Sequence, residues 1–178
     1  MDGLNNSTFI VDALALLVLE VDGVLTDGQS WPDASGTWRR RFSVRDSIAL
    51  RALRRSGVKI AILTRSSSAD IHAHAELVGI DACVVDCDDK PAALRALCAR
   101  FAVEPKSVAA IIESDDDAWM ARELGWVIAT PGAGPGARQA AGYVTNLEGG
   151  DGAVREACNF LRVSQREGAR LKSAVGAR

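Results

Sequence analysis

The sequence predicts an α/β fold: a three-layer, Rossmann-like, mostly parallel sheet with a projecting β-hairpin. Three observations predict it. Apolar runs recur as continuous stretches rather than alternating ones, the pattern of strands covered on both faces. Helical patterns lie between successive runs, giving repeated strand–helix–strand units. Residues 29–44 alone break that order, with a turn between two aromatic-bearing arms.

The first expected strand is Leu14–Glu20, which ends on two acids, Glu20 and Asp22, before the turn residues Gly23, Asp27 and Gly28. "QSWPDASGTWRRRFSV" follows; Pro32 to Gly36 form its turn, so a hairpin is expected over about 29–44. Asp46 is placed to cap a helix running to Arg55. Val58–Leu63 is the second core strand, and Ala69–Val78 the next helix, ended by Gly79. Ala82–Val85 is a strand. Lys90–Phe101 is a helix with Pro91 in its first turn and Leu94, Leu97, Cys98 and Phe101 on one face. Val108–Ile112 and Trp126–Ala129 are strands, separated by a helix over Asp117–Leu124 that Gly125 ends. A short Tyr143–Thr145 strand precedes a last helix, from near Gly152 to about Arg170. The basic tail, about 165–178, is expected to be mobile or docked on another subunit.

At 178 residues the chain suits one domain, 1–178, large enough to fold without disulfides or a structural metal. A net charge of −2 gives no electrostatic case for nucleic acid or membrane binding. Cys83, Cys87, Cys98 and Cys158 form no CxxC and no zinc-like cluster, so they read as reduced thiols. The first apolar run leads straight into the fold and is too short to span a bilayer, so no leader is expected and the setting is read as cytoplasmic. The sequon-like residues 5–8 then carry no meaning. His72 and His74 stand two apart on a helix and do not share a face, which argues against a metal role. Trp119 and Trp126 read as core.

In open α/β sheets, ligands sit beyond the carboxyl ends of the strands. There the sequence places Glu20 and Asp22, then Thr64, Arg65 and Ser66, then Asp86, Asp88, Asp89 and Lys90, then Glu113 to Asp117. Acids in such loops are often solvated caps, the run Asp115–Asp117 above all. Glu20 and Asp22 at a buried strand's end, with Lys90 and the strand-four acids, instead suggest a crevice where gathered carboxylates call for a cation. Oxygen-only ligands favour Mg2+. The hydroxyls of Thr64 and Ser66 and the Lys90 ammonium suit a phosphate.

These segments resemble a known family. "VDGVLTDG", "RRFSVRDSIAL", "AILTRSS", "LVGIDACVVDCDDKPAAL", "IIESDDDAWMARELG" and "YVTNLEGGDGAVREAC" together look like haloacid-dehalogenase-type phosphatases. The nearest group is the capless 3-deoxy-manno-octulosonate-8-phosphate phosphatases. "GGDGAVREAC" is no phosphate loop, since it lacks GK[ST].

The resemblance implies a Mg2+-dependent hydrolase of a phosphorylated sugar acid, with no cap domain. Position 20 matches the nucleophile and a metal ligand. Asp22 matches the acid/base, whose main-chain carbonyl also binds metal. Thr64 matches the phosphate-binding hydroxyl, Lys90 the charge-neutralising lysine, and Glu113 a metal ligand. Ser66, Arg45, Asp46, Ser114 and Asp117 match neighbouring positions. It also implies a homotetramer whose hairpin covers a neighbour's crevice, with Trp31, Trp38 and Phe42 as apolar contacts. Packing on their own domain is the other reading of those three. Arg39, Arg40 and Arg41 either face a neighbouring crevice or form a solvated face.

The sequence also departs from the family pattern. Glu20 and Glu113 stand where Asp is expected, Ser114 at a second Asp, and Ile112 and Ser47 at glycines. Thr64-Arg65-Ser66 replaces Thr-Gly-Arg. A one-residue slip would put Asp115 and Asp116 in the paired positions instead. The lengthened Glu20 is expected to leave the crevice intact while impairing covalent catalysis, the alternative being an active phosphomonoesterase.

Overall fold

The computed structural model describes residues 14–175, so residues 5–8 and the end of the basic tail, 176–178, lie outside the described residues. Six strands make one parallel sheet: β1 Leu16–Leu19, β4 Lys59–Leu63, β5 Ala82–Val84, β6 Val108–Ile112, β7 Trp126–Ala129 and β8 Tyr143–Val144. Their spatial order is β5-β4-β1-β6-β7-β8, which puts β1 between β4 and β6.

The continuous apolar runs follow from burial on both faces. In β1, Leu17 and Leu19 face one core with Leu50, Leu53, Ile71 and Leu161, while Leu16 and Val18 face a second with Leu94, Leu97 and Met120. The first core is covered by α1 Val44–Arg55, α2 Ala69–Val78 and α6 Ala153–Val175. The second lies under α3 Lys90–Phe101, α4 Met120–Glu123 and α5 Pro135–Ala140. Successive residues therefore serve opposite helix layers, so no polar alternation survives.

Between β1 and α1 stands the hairpin, β2 Trp31–Pro32 paired antiparallel with β3 Trp38–Arg39. Asp33 organises its turn, accepting from the N–H groups of Ser35 and Thr37 and from the Arg39 guanidinium.

Several boundaries differ from expectation, each for a local reason. Ser43, not Asp46, caps α1, accepting from the Asp46 N–H. Asp46 is buried and instead accepts from the N–H groups of Gly152 (3.3 Å) and Arg155 (2.7 Å), so it caps α6 from another element. The helix expected over Asp117–Leu124 is a 3-10 turn, Asp115–Asp117, followed by the short α4. Gly125 is no helix cap: a Cβ there would overlap the Lys106 carbonyl oxygen, and its N–H donates to Pro105 and Val108. It marks a close backbone approach. α5 is unforeseen in a Gly/Pro-rich stretch; Pro135 opens it and the Asp115 carboxylate accepts from the Ala137 N–H at 2.8 Å. α6 runs on to Val175, past the end expected near Arg170.

Candidate active site

The exits of β1, β4 and β6 open on one crevice, lined by Glu20, Asp22, Thr64, Arg65, Ser66, Lys90, Glu113 and Ser114. After β1 the backbone enters a tight turn, Val21–Leu25, in which Gly23 takes φ +77°. A side chain on Gly23 would collide with Glu113, so that glycine lets the β1 turn and the β6 acid meet. The Thr130 hydroxyl donates to the Gly23 carbonyl at 3.2 Å and props the turn.

Glu20 is bonded by the Lys90 ammonium, which also donates to Asp117 at 2.6 Å. All three side chains are withdrawn from water: Lys90 is 4% exposed, Asp117 1% and Glu20 12%. Burial raises the proton affinity of Glu20, and Lys90 opposes it without cancelling it. Asp117 Oδ1 is buried with no hydrogen-bond partner among the described residues. Asp89 caps α3 through the Ala92 N–H at 2.9 Å and so starts the helix that carries Lys90.

Asp22 is gripped differently. The Arg40 guanidinium reaches it at both oxygens, Nε to Oδ1 at 2.7 Å and Nη2 to Oδ2 at 3.3 Å, and the Ser66 hydroxyl donates as well. Burial pushes the Asp22 carboxyl up, but Arg40, Ser66 and Thr26 outweigh it and hold the carboxyl below its usual range. Arg40 is itself steadied by Ser68 and Asp70. The Thr64 hydroxyl is buried and accepts from the Ser66 N–H at 3.1 Å.

Glu113 has no ion-pair partner among the described residues. Burial, then the neighbouring Asp22, Asp115 and Asp117, raise its proton affinity. Among the described residues no three acidic, thiol or imidazole side chains form a metal cluster on their own. The donor types available are nonetheless oxygen only: the Glu20 and Glu113 carboxylates and the Asp22 carbonyl. Glu113 among three acids is the charge a hard divalent cation would relieve, so the residues present fit such an ion.

The structure therefore brings Glu20, Asp22, Thr64, Ser66, Lys90, Glu113 and Ser114 together, with Asp117 beneath Lys90. It does not bring Arg45 or Asp46 there: Arg45 is exposed on α1, and Asp46 caps α6. Asp115 and Asp116, the alternative pair, do not line the crevice: Asp115 is bonded to the start of α5, and Asp116 pairs with Arg65 at 2.9 Å at its mouth. Ile112, where a glycine was expected, points into the second core. Arg40 enters this chain's own crevice, while Arg39 and Arg41 pair with Asp33 and Asp27. Strand alternation was the signal for it, since the middle of three consecutive residues faces away from the other two. Phe42 packs on its own domain, stacked on His74 with ring centroids 3.9 Å apart, whereas Trp31 and Trp38 are 47% and 57% exposed.

Comparison with known proteins gives a consistent picture. Residues 44–125 match the haloacid dehalogenase-like hydrolase family model. The chain is 32% identical over 163 residues to the 3-deoxy-D-manno-octulosonate 8-phosphate phosphatase KdsC of Yersinia pestis, spanning 92% of this chain and 86% of that protein. It is 32% identical over 152 residues to the same enzyme of Escherichia coli K12, spanning 85% and 81%. The Moraxella catarrhalis phosphatase, solved with magnesium, phosphate and KDO, superposes with a TM-score of 0.86 at 32% identity. That match covers 97% of this chain and 99% of the other.

Proposed function

The chain belongs to the 3-deoxy-D-manno-octulosonate 8-phosphate phosphatase family of haloacid dehalogenase-like hydrolases, and from that premise we propose that its crevice binds a small phosphorylated sugar acid and hydrolyses the phosphomonoester. The observation that carries the reading is the meeting of Glu20, Asp22, Thr64, Ser66 and Glu113, at the exits of three adjacent strands, with Lys90 at the start of α3. The ligands of the Moraxella protein support the substrate class.

In this reading Thr64 hydrogen-bonds a phosphoryl oxygen, and the Ser66 hydroxyl turns from Asp22 to donate to another. A Glu20 oxygen attacks phosphorus, the bond to the sugar oxygen breaks, and Asp22 gives that oxygen a proton. Water then attacks the phosphoryl-Glu20, Asp22 takes its proton, and Glu20 is regenerated with release of phosphate. Lys90 balances charge on Glu20 throughout. Arg40 holds Asp22 ionised, the state that accepts a proton, so Arg40 must turn away and Asp22 must take up a proton from solvent before the first transfer; the proton it takes from the attacking water then restores the acid for the next turnover. Mg2+, held by the Glu20 and Glu113 carboxylates and the Asp22 carbonyl, would neutralise charge on the phosphoryl oxygens.

A second reading rests on one observation: position 20 is Glu, and its carboxylate is drawn to Lys90. One methylene displaces the attacking oxygen by about 1 Å, and an error of that size costs on the order of 10²-fold. The crevice then binds its ligand with little turnover. Phosphate release from a panel of esters including KDO 8-phosphate, with and without Mg2+, separates the two. Mg2+-dependent turnover by the wild type supports the hydrolase. A wild type at background beside a Glu20→Asp variant faster by roughly 100-fold supports the second reading. Neither turnover nor phosphate binding in either protein would reject both.

The proposal extends to the whole chain acting as one domain, to a cytoplasmic setting that the four free thiols suit, and to a homotetramer in which Trp31 and Trp38 meet a neighbouring subunit. Among the described residues no helix is long and apolar enough to cross a membrane.

A further inference from the structure

We propose that Arg65 is a specificity residue that reads a carboxylate on the leaving-group end of the ligand; this rests on the crevice being a phosphate-ester site. Arg65 follows Thr64 at the exit of β4 and lines the crevice. Its Nη1 donates to Asp116 at 2.9 Å, and Asp116 belongs to the turn after β6. β1 lies between β4 and β6, so this pair crosses the mouth above the strand that delivers Glu20 and Asp22.

The other two cations bonded to crevice acids are buried against them, Lys90 at 4% and Arg40 at 11% exposed. Lys90 holds Glu20 and Asp117, and Arg40 holds Asp22. Arg65 differs. It is 50% exposed and its partner Asp116 67%, an ion pair too solvated to add much stability and therefore easily exchanged. Its Nε and Nη2 have no protein acceptor among the described residues. A guanidinium edge with free N–H groups matches a carboxylate in a two-point contact. The small hydroxyls of Thr64 and Ser66 suit the inner, phosphoryl end of a ligand, which leaves the longer side chain at the mouth to meet the rest of it. Asp116 then acts as the stand-in that the ligand's carboxylate displaces.

Titration calorimetry on the full chain with 6-phosphogluconate, glucose 6-phosphate and inorganic phosphate tests this. The wild type should bind 6-phosphogluconate about tenfold more tightly than glucose 6-phosphate, which lacks the carboxylate. Arg65→Ala should abolish that preference, leave inorganic phosphate within about twofold, and melt within about 2 °C of the wild type. Asp116→Asn should tighten the acid about two- to threefold, and the gain should vanish in the double variant, because it acts through Arg65. A wild type with no preference, an Arg65→Ala protein that keeps it, or a gain from Asp116→Asn that persists without Arg65 would overturn the proposal and leave the phosphate site standing. Failure of the wild type to bind any of the three ligands would overturn both.

Discussion

Replacing Lys90 by Met probes the most buried charges in the crevice. The ammonium is the shared partner of Glu20 and Asp117, and all three groups are nearly out of water. Asp117 already carries one oxygen with no partner among the described residues. Met fills much of the lysine volume, so the loss is one of charge rather than packing. Breaking a buried pair by removing one partner costs about 3–5 kcal/mol, because the remaining charge stays desolvated. For a chain of this size each kcal/mol lowers the melting temperature by about 2–4 °C, so calorimetry should show a drop of roughly 10 °C. Adding Glu20→Gln and Asp117→Asn removes the stranded charges and should recover at least half of it. A Lys90→Met protein melting within about 2 °C of the wild type would refute the reasoning, as would a triple variant no better than the single one.

Three further outcomes follow from other parts of the molecule. His74, buried under Phe42, has its pKa pushed down to about 4 by burial and then by Arg51. The unfolded chain takes up that proton below about 6.5 and the folded one only near 4, so stability should fall by about 2–3 kcal/mol between pH 6.5 and 4. His74→Phe should remove that component in urea titrations at pH 7.5 and 5; equal losses in both proteins would contradict it. Asp46→Ala removes two hydrogen bonds to the start of α6 and should cost about 2 kcal/mol in urea, and an unchanged midpoint would show the cap to be idle. Replacing Trp31 and Trp38 by Ser should lower the mass seen by light scattering, and an unchanged mass would exclude the hairpin from the assembly.

The sheet was legible because its central strands are buried on both faces and are therefore continuous apolar runs, down to Val108–Ile112 and Trp126–Ala129 with the same ends in sequence and structure. What escaped depends on partners far away in the chain. Asp46 has the spacing of a cap for α1, yet its acceptors meet N–H groups more than 100 residues later. α5 lies in a stretch whose glycines read as loop, and part of its support comes from Asp115, across the site. The crevice acids and hydroxyls could be read from the strand ends, since that position follows from topology alone. Strand alternation set Arg40 apart from Arg39 and Arg41 without showing that it meets Asp22, and the Arg65–Asp116 pair left no signal, because it joins loops whose separation only the folded sheet sets.

Binding of inorganic phosphate tests the account at its centre. Calorimetry in the presence of Mg2+ should find one phosphate per wild-type chain, with affinity weakened about tenfold by Thr64→Val, which keeps the side-chain shape and removes the hydroxyl. No phosphate binding by the wild type, or equal binding by the two proteins, would contradict the assignment of the crevice.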